Sequence, residues 1–150
     1  ITERFYMWRR GVAMWRDRPL LGWGRGGVKR EYARYALPEA GKQRTGHVHN
    51  TPLQILIERG ALGFLAWLGI WLAFYWYSIR VFRRLGQSRP RERMLVAGSI
   101  AAVTGYLVAG LSENNFGSSV VVMTIFTIMG VPWVVARSLR RANAEGHPAI

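Results

Sequence analysis

The sequence predicts an all-α membrane protein in which three transmembrane helices follow a large outer loop carrying an amphipathic helix. Residues 61–79, 94–111 and 116–136 contain no Asp, Glu, Lys or Arg, and each approaches or reaches the ~20 apolar residues that cross a ~30 Å hydrocarbon core. Half of the chain is apolar, yet its mean hydropathy is only +0.04. The reason is charge: 21 Lys and Arg against 8 Asp and Glu give a formal +13, and these residues are sharply segregated from the apolar runs. Three such runs in 150 residues leave too little polar chain to cover them in a water-soluble fold.

The first element is read from "RFYMWRRGVAMWRDR", which begins at Arg4 and ends at Arg18. Phe5, Trp8, Val12 and Trp15 recur at helical spacing, with Arg9, Arg10 and Arg16 available to the polar side. A helix of this kind suits the membrane interface and equally suits packing against further helices. The chain opens at Ile1 rather than Met, so more sequence is expected upstream. Pro19 and the glycines of "PLLGWGRGG" then predict a break and an irregular turn. No strand precedes this turn and no Lys-Ser or Lys-Thr follows it, which argues against a nucleotide P-loop.

The next signal is "HVHNTPLQILIERG", which starts at His47. Thr51 reads as an N-cap and Pro52 as the first helical residue, placing His49 and Asn50 just outside a helix amino end that attracts anions through its dipole and free N–H groups. A histidine and a set of bases are thus expected to meet a phosphate there. His47-x-His49 is not expected to bind metal: the chain has no Cys, no Asp lies nearby, and Glu58 falls beyond the helix start. A purely structural His49 and a basic loop clinging to anionic lipid are the competing readings.

Topology follows from the arginines. Residues 80–93 hold Arg80, Arg83, Arg84, Arg89, Arg91 and Arg93 against Glu92 alone, and short loops this basic stay in the cytoplasm. Arg137, Arg140 and Arg141 after the third span agree. The uncharged-but-for-one-acid turn "SENNFG" from Ser112 and the 1–59 loop then fall outside. That loop carries twelve Lys and Arg, which long loops are permitted. An outer basic loop excludes nucleic acid as a partner. Within the spans, Ala101, Gly105 and Ala109 form a small-residue stripe suited to close packing. Trp67, Trp71 and Tyr75 form an aromatic stripe, and Trp76, Tyr77 and Trp133 belong to a belt at the cytoplasmic ends. The organisation expected is a loop over 1–59, three helices within 60–141, and a cytoplasmic tail over 142–150.

The residues also carry a family likeness. His49-Asn50 followed by "GALG" from Gly60 to Gly63, and the upstream pattern Arg4, Trp8, Pro19, Leu20, Gly22 and Gly24, resemble the O-antigen ligase and O-antigen polymerase-like membrane glycosyltransferases. "GYLVAGLSENNFG" is similar to the next outer turn of that family, so the likeness covers residues 1 to about 136. It implies a fragment of a multi-span C-type glycosyltransferase fold with a periplasmic loop, in the bacterial inner membrane. It further implies an undecaprenyl-diphosphate-linked glycan as donor, and lipid A core, another glycan or a protein side chain as acceptor.

The inventory suits that chemistry. Departure of a diphosphate builds negative charge that fixed cations stabilise; Arg4 is the first choice by motif position, with Arg9, Arg10, Arg25 and Arg44 weaker candidates and Asn50 beside them. An acceptor hydroxyl needs a base or orienting partner, and His49 supplies one. With Asp17 its only aspartate and its acids scattered, the chain has no paired-carboxylate motif for Mg²⁺, so catalysis without metal or cofactor is expected. Ligation to lipid A core is preferred over polymerisation and protein glycosylation. A transporter or anchor that holds anionic lipid is the alternative from another class, separable by an assay for glycan consumption.

Overall fold

The computed structural model describes residues 2–35 and 44–144, and among them only helices and turns occur. The helices are α1 (Thr2–Asp17), α2 (Gly27–Glu31), α3 (Thr51–Leu85), α4 (Pro90–Ala109), α5 (Ser119–Met129) and α6 (Val131–Ala144). Three helical stretches, Thr51–Leu85, Pro90–Ala109 and Ser119–Arg141, are long and apolar enough to cross a membrane. The apolar runs read from the sequence are therefore all present, with shifted ends. The basic segment 80–93 is mostly helical, because α3 continues to Leu85 and α4 starts at Pro90; arginine stems lie along apolar helix ends while their heads reach water. The third span begins at Ser119 rather than 116, after a 3-10 turn at Asn115–Gly117. It is interrupted at Gly130, where Pro132 withholds the N–H that would continue the ladder. The expected tail at 142–150 starts as the end of α6, and its last six residues lie outside the described residues.

The chain divides into two compact units, one of residues 1–70 and 107–118 and one of residues 71–106 and 119–150. The first unit packs Met7 and Met14 of α1 with Val28, Tyr32, Val48 and Ile57. This corrects the amphipathic reading of α1. The stripe Phe5, Trp8, Val12 is exposed or half-buried, with Phe5 63% accessible, whereas Met7, Arg10, Gly11 and Met14 are buried. The reason is Gly11: a Cβ there would lie 3.0 Å from both Ile57 Cδ1 and Leu53 Cδ2, so the bare backbone is the face that admits α3.

Gly60 interrupts α3 with non-helical angles, φ 66° and ψ −171°. An unbroken helix would bond the Ala61 and Leu62 N–H groups to the Ile57 and Glu58 carbonyls. The turn after α1 takes up these same four groups: Ala61 N donates to Pro19 O (2.7 Å) and Leu62 N to Leu20 O (3.3 Å), while Ile57 O and Glu58 O accept from Trp23 N (2.9 Å) and Gly24 N (2.8 Å). The "PLLGWG" turn is thus spliced into the break of α3, and the four backbone groups that the break releases are all paired. A Cβ on Gly60 would fall 2.2 Å from Leu20 O, and one on Gly22 would fall 2.6 Å from Ile57 O. The second glycine of "GALG", Gly63, leaves room for the Arg59 side chain.

Gly60→Ala forces both a backbone conformation costing roughly 1–3 kcal/mol and a collision with Leu20, so the thermal midpoint of the purified protein should drop by several degrees. Gly69→Ala, in the same helix with open space around it, should be neutral or slightly stabilising. Equal midpoints for the two variants would refute the splice.

The second unit holds a core of Val81, Leu85, Val96 and Val135. Trp71 is buried against Tyr106 and Phe126, and the Tyr75 hydroxyl bonds Thr104 Oγ1 at 2.8 Å; the aromatic stripe packs within the chain. The small-residue stripe does not. Ala101, Gly105 and Ala109 are exposed while Val96, Ser99, Val103 and Tyr106 form the buried face of α4, because branched and aromatic side chains fill the space between the helices better than alanine.

Candidate functional site

Within the first unit, α1, the residues before α3 and the turn after α4 converge on one carboxylate. Glu113 Oε1 accepts from Arg4 Nη2 at 3.2 Å, and its Oε2 lies 3.0 Å from His49 Nδ1. Arg4 Nη1 also donates to Ser112 O at 3.2 Å. Asn50 Nδ2 donates to Leu111 O at 2.9 Å. Three of the residues singled out from the sequence, Arg4, His49 and Asn50, thus meet on residues 111–113.

His49 is held from several directions. Trp8 Nε1 donates to the Val48 carbonyl at 3.1 Å, and Val48 N donates to Gln54 Oε1 at 3.1 Å. Val48 itself is fully buried. His49 then adopts φ 47°, the one positive φ on a non-glycine residue among the described residues, a conformation that costs energy and persists where surrounding contacts impose it. The ring of His47 packs edge-on against that of His49, with centroids 4.3 Å apart. The Gln54 side chain continues to Glu58 (2.9 Å), whose Oε1 accepts from Gly26 N (3.0 Å). Glu58 is therefore a brace between α3 and the glycine turn.

The cap assignment is corrected. Asn50 is the N-cap: its Oδ1 accepts from Leu53 N at 2.8 Å and its carbonyl from Gln54 N at 2.9 Å. Thr51 is also a capping residue by type, though a weaker one than Asn, and its hydroxyl donates to Glu113 O (2.9 Å) and accepts from Asn115 N (3.1 Å). Thr51 N donates to Gly110 O at 2.7 Å, and Pro52 has no N–H. The first four amides of α3 are consequently occupied or absent, so the expected phosphate site on free helix N–H groups is not formed. The anion that the helix end faces is the Glu113 turn.

The remaining arginines are placed differently. Arg10, expected on the polar side of α1, is 2% exposed, with its guanidinium 5.1 Å from the Tyr32 ring centre. Its place is the packed interior, where burial pushes the Tyr32 hydroxyl above the ordinary tyrosine range. Arg9, Arg25 and Arg44 are exposed, and among the described residues no hydrogen bond or ion pair joins them to the Glu113 group. Arg30, which the sequence reading passed over, closes the glycine turn by donating to Arg25 O (2.7 Å) and Trp23 O (3.0 Å).

Chemically, the group is a histidine whose Nδ1 faces a carboxylate and a guanidinium on the other carboxylate oxygen. A carboxylate on Nδ1–H orients the ring and leaves Nε2 as the acceptor. Hydrogen bonding to His49, joined by the charges of His49 and Arg4, holds Glu113 below the usual carboxylate range against an opposing desolvation. Glu113 therefore remains charged above its ordinary pKa and for some distance below it, and the group loses this charge only as pH falls through the lowered value. Glu113 was missed from the sequence. Its signal was its position as the single acid in an otherwise uncharged turn between two apolar runs. Among the described residues no group of three or more His, Cys, Asp or Glu gathers in a metal-binding arrangement.

A family model described as O-antigen ligase matches residues 1–68. The match covers α1, the spliced glycine turn, His49, Asn50 and the start of α3. No curated protein matches the chain.

Proposed function

From a chain whose residues 1–68 match the O-antigen ligase family, and which therefore points to glycan transfer by a glycosyltransferase-like membrane enzyme, we propose ligation of an undecaprenyl-diphosphate-linked glycan to lipid A core at the periplasmic face of the inner membrane. The observation that carries this reading is the convergence of Arg4 and His49 on Glu113.

In the proposed reaction an acceptor hydroxyl attacks the anomeric carbon while the bond from that carbon to the diphosphate oxygen breaks. His49 Nε2 takes the hydroxyl proton, and Glu113 stabilises the imidazolium that results. Arg4 spends one edge on Glu113 and Ser112, is still 46% exposed, and turns its remaining N–H groups to the diphosphate as negative charge builds on it. Fixed guanidinium charge takes the part that a metal plays elsewhere, so transfer is expected to proceed in chelator. Arg9, Arg25 and Arg44 serve as outlying contacts to the carrier, and Asn50 holds the turn that presents Glu113.

The test supplies membranes containing the protein with lipid-linked glycan and lipid A core, and follows both donor loss and acceptor mass. Glycan-bearing lipid A core in the presence of chelator supports ligation. Donor consumption with lengthening of the glycan on its own carrier would replace it with polymerisation. An unconsumed donor would leave a lipid-holding anchor or transporter. The face is tested by impermeant thiol labelling in intact cells, where Arg25→Cys should react and Gln87→Cys should not; labelling at Gln87 alone reverses the orientation.

A further inference from the structure

In the second unit a cavity of about 420 Å³ opens where the end of α3, the turn that follows it and α6 meet. Arg80 and Arg84 reach it from α3, Arg89 from the turn and Arg140 from α6, and no Asp or Glu lines it. Among the described residues none of these four arginines forms an ion pair. Beneath them the wall is apolar, with Val81 and Leu85 contributed by α3 and Leu139 by α6.

Orientation rules for membrane proteins account for a count of bases near span ends, not for their arrangement round one cavity. Arg80 and Arg84 are four residues apart on one helix face, where like charges repel, and Arg140 adds a third positive charge from another helix. Such an arrangement is relieved by a bound anion, and guanidinium groups match phosphate oxygens in pairs. The depth is marked by aromatics: Tyr77 stacks on Trp133 with centroids 4.2 Å apart and planes 12° from parallel, and Trp76 is 63% exposed with Arg80 over its ring at 5.1 Å. Exposed tryptophan and stacked tyrosine belong at the headgroup level of a bilayer.

We infer that this cavity binds the phosphate head group of an anionic membrane phospholipid, with the arginines on the phosphate and the acyl chains along the apolar wall. Basic pockets between transmembrane helices take lipid head groups by this chemistry, and the volume falls in the range of small-molecule sites. The inference does not depend on the glycan reading, since none of its residues belongs to the Glu113 group.

The experiment titrates the purified full chain, in a neutral detergent, with phosphatidylglycerol and separately with phosphatidylcholine of the same acyl chains, following the thermal midpoint. The wild-type protein should gain several degrees from phosphatidylglycerol and little from phosphatidylcholine. Arg84→Gln with Arg140→Gln should weaken the apparent affinity about tenfold or more. Arg83→Gln with Arg91→Gln, which removes the same charge outside the cavity, should leave it unchanged. An equal loss in both double variants, an equal response to phosphatidylcholine, or the full gain from inorganic phosphate at the same concentration would each overturn the lipid site. Should the Arg84 and Arg140 variant fail to accumulate, native mass spectrometry of the wild-type protein with an equimolar mixture of the two lipids decides: selective retention of phosphatidylglycerol supports the site, and equal retention removes it.

Discussion

His49→Ala is expected to lower glycan transfer by roughly 10²-fold or more, the usual range for general acid–base help, while the protein still inserts and accumulates. His47→Ala should be far milder, because its ring packs against that of His49 and the Glu113 carboxylate accepts from His49. Glu113→Gln separates orientation from charge. A glutamine amide can donate to Nδ1, which drives the proton to Nε2 and removes the acceptor a base requires, so a loss of at least ~10² is expected by the reasoning that applies to carboxylate–histidine pairs in general. The measurement is transfer from the lipid carrier per inserted protein, with and without chelator. Comparable harm from both histidine variants together with chelator sensitivity would indicate a metal pair. Reduced accumulation of His49→Ala with normal specific activity would indicate a purely structural histidine. Near-wild-type rates in both histidine variants would remove His49 from the chemistry.

The second large effect is expected at Arg4. Arg4→Ala deletes the guanidinium that faces the departing diphosphate and at the same time releases Glu113 and the Ser112 carbonyl from their partner. Removing one fixed donor that stabilises developing charge costs about 10²–10³ in rate, and misplacement of Glu113 adds to it. Arg83→Ala, which also deletes one positive charge, should leave transfer intact. Arg4→Lys should recover little, since an ammonium cannot bond Glu113 and Ser112 with one edge and still offer paired N–H groups to phosphate. Full activity in the lysine variant would refute the specific role. A loss of accumulation that matches the loss of transfer would reduce the Arg4–Glu113 pair to a staple of the fold, and its half-exposed geometry already argues that such an ion pair by itself adds little to stability.

The courses of the apolar helices, the places where the chain turns, and the membership of Arg4, His49 and Asn50 in the informative part of the molecule are legible in the order of residues alone. These properties are local: hydropathy and charge are summed over a window, and a Pro-Gly-rich turn interrupts a helix wherever it folds. The spans lengthened where they run into arginines, as at the end of α3 and the start of α4, since long arginine stems extend an apolar helix beyond its last uncharged residue, whereas the third started late because a 3-10 turn occupies 115–117. That Glu113 is the common partner emerges from the folded chain, because it lies 109 residues from Arg4 and 64 from His49 and no periodic pattern links positions so far apart. The same holds for the cap of α3. Asn50 and Thr51 are both good caps by residue type, and the choice went to Asn50 once the Thr51 hydroxyl was engaged by the 113–115 turn. Arg10 reads as a surface base from its neighbours along the chain, but Gly11 beside it turns that face of α1 toward Leu53 and Ile57 and carries Arg10 into the interior. The glycines of "GALG" are visible in the sequence as a motif, whereas their purpose appears only when the 19–24 turn supplies the four hydrogen bonds that the break at Gly60 leaves open. Local pattern specifies which elements form; pairing between distant backbone and side-chain groups, each of which must find a partner once buried, decides which residues of those elements meet.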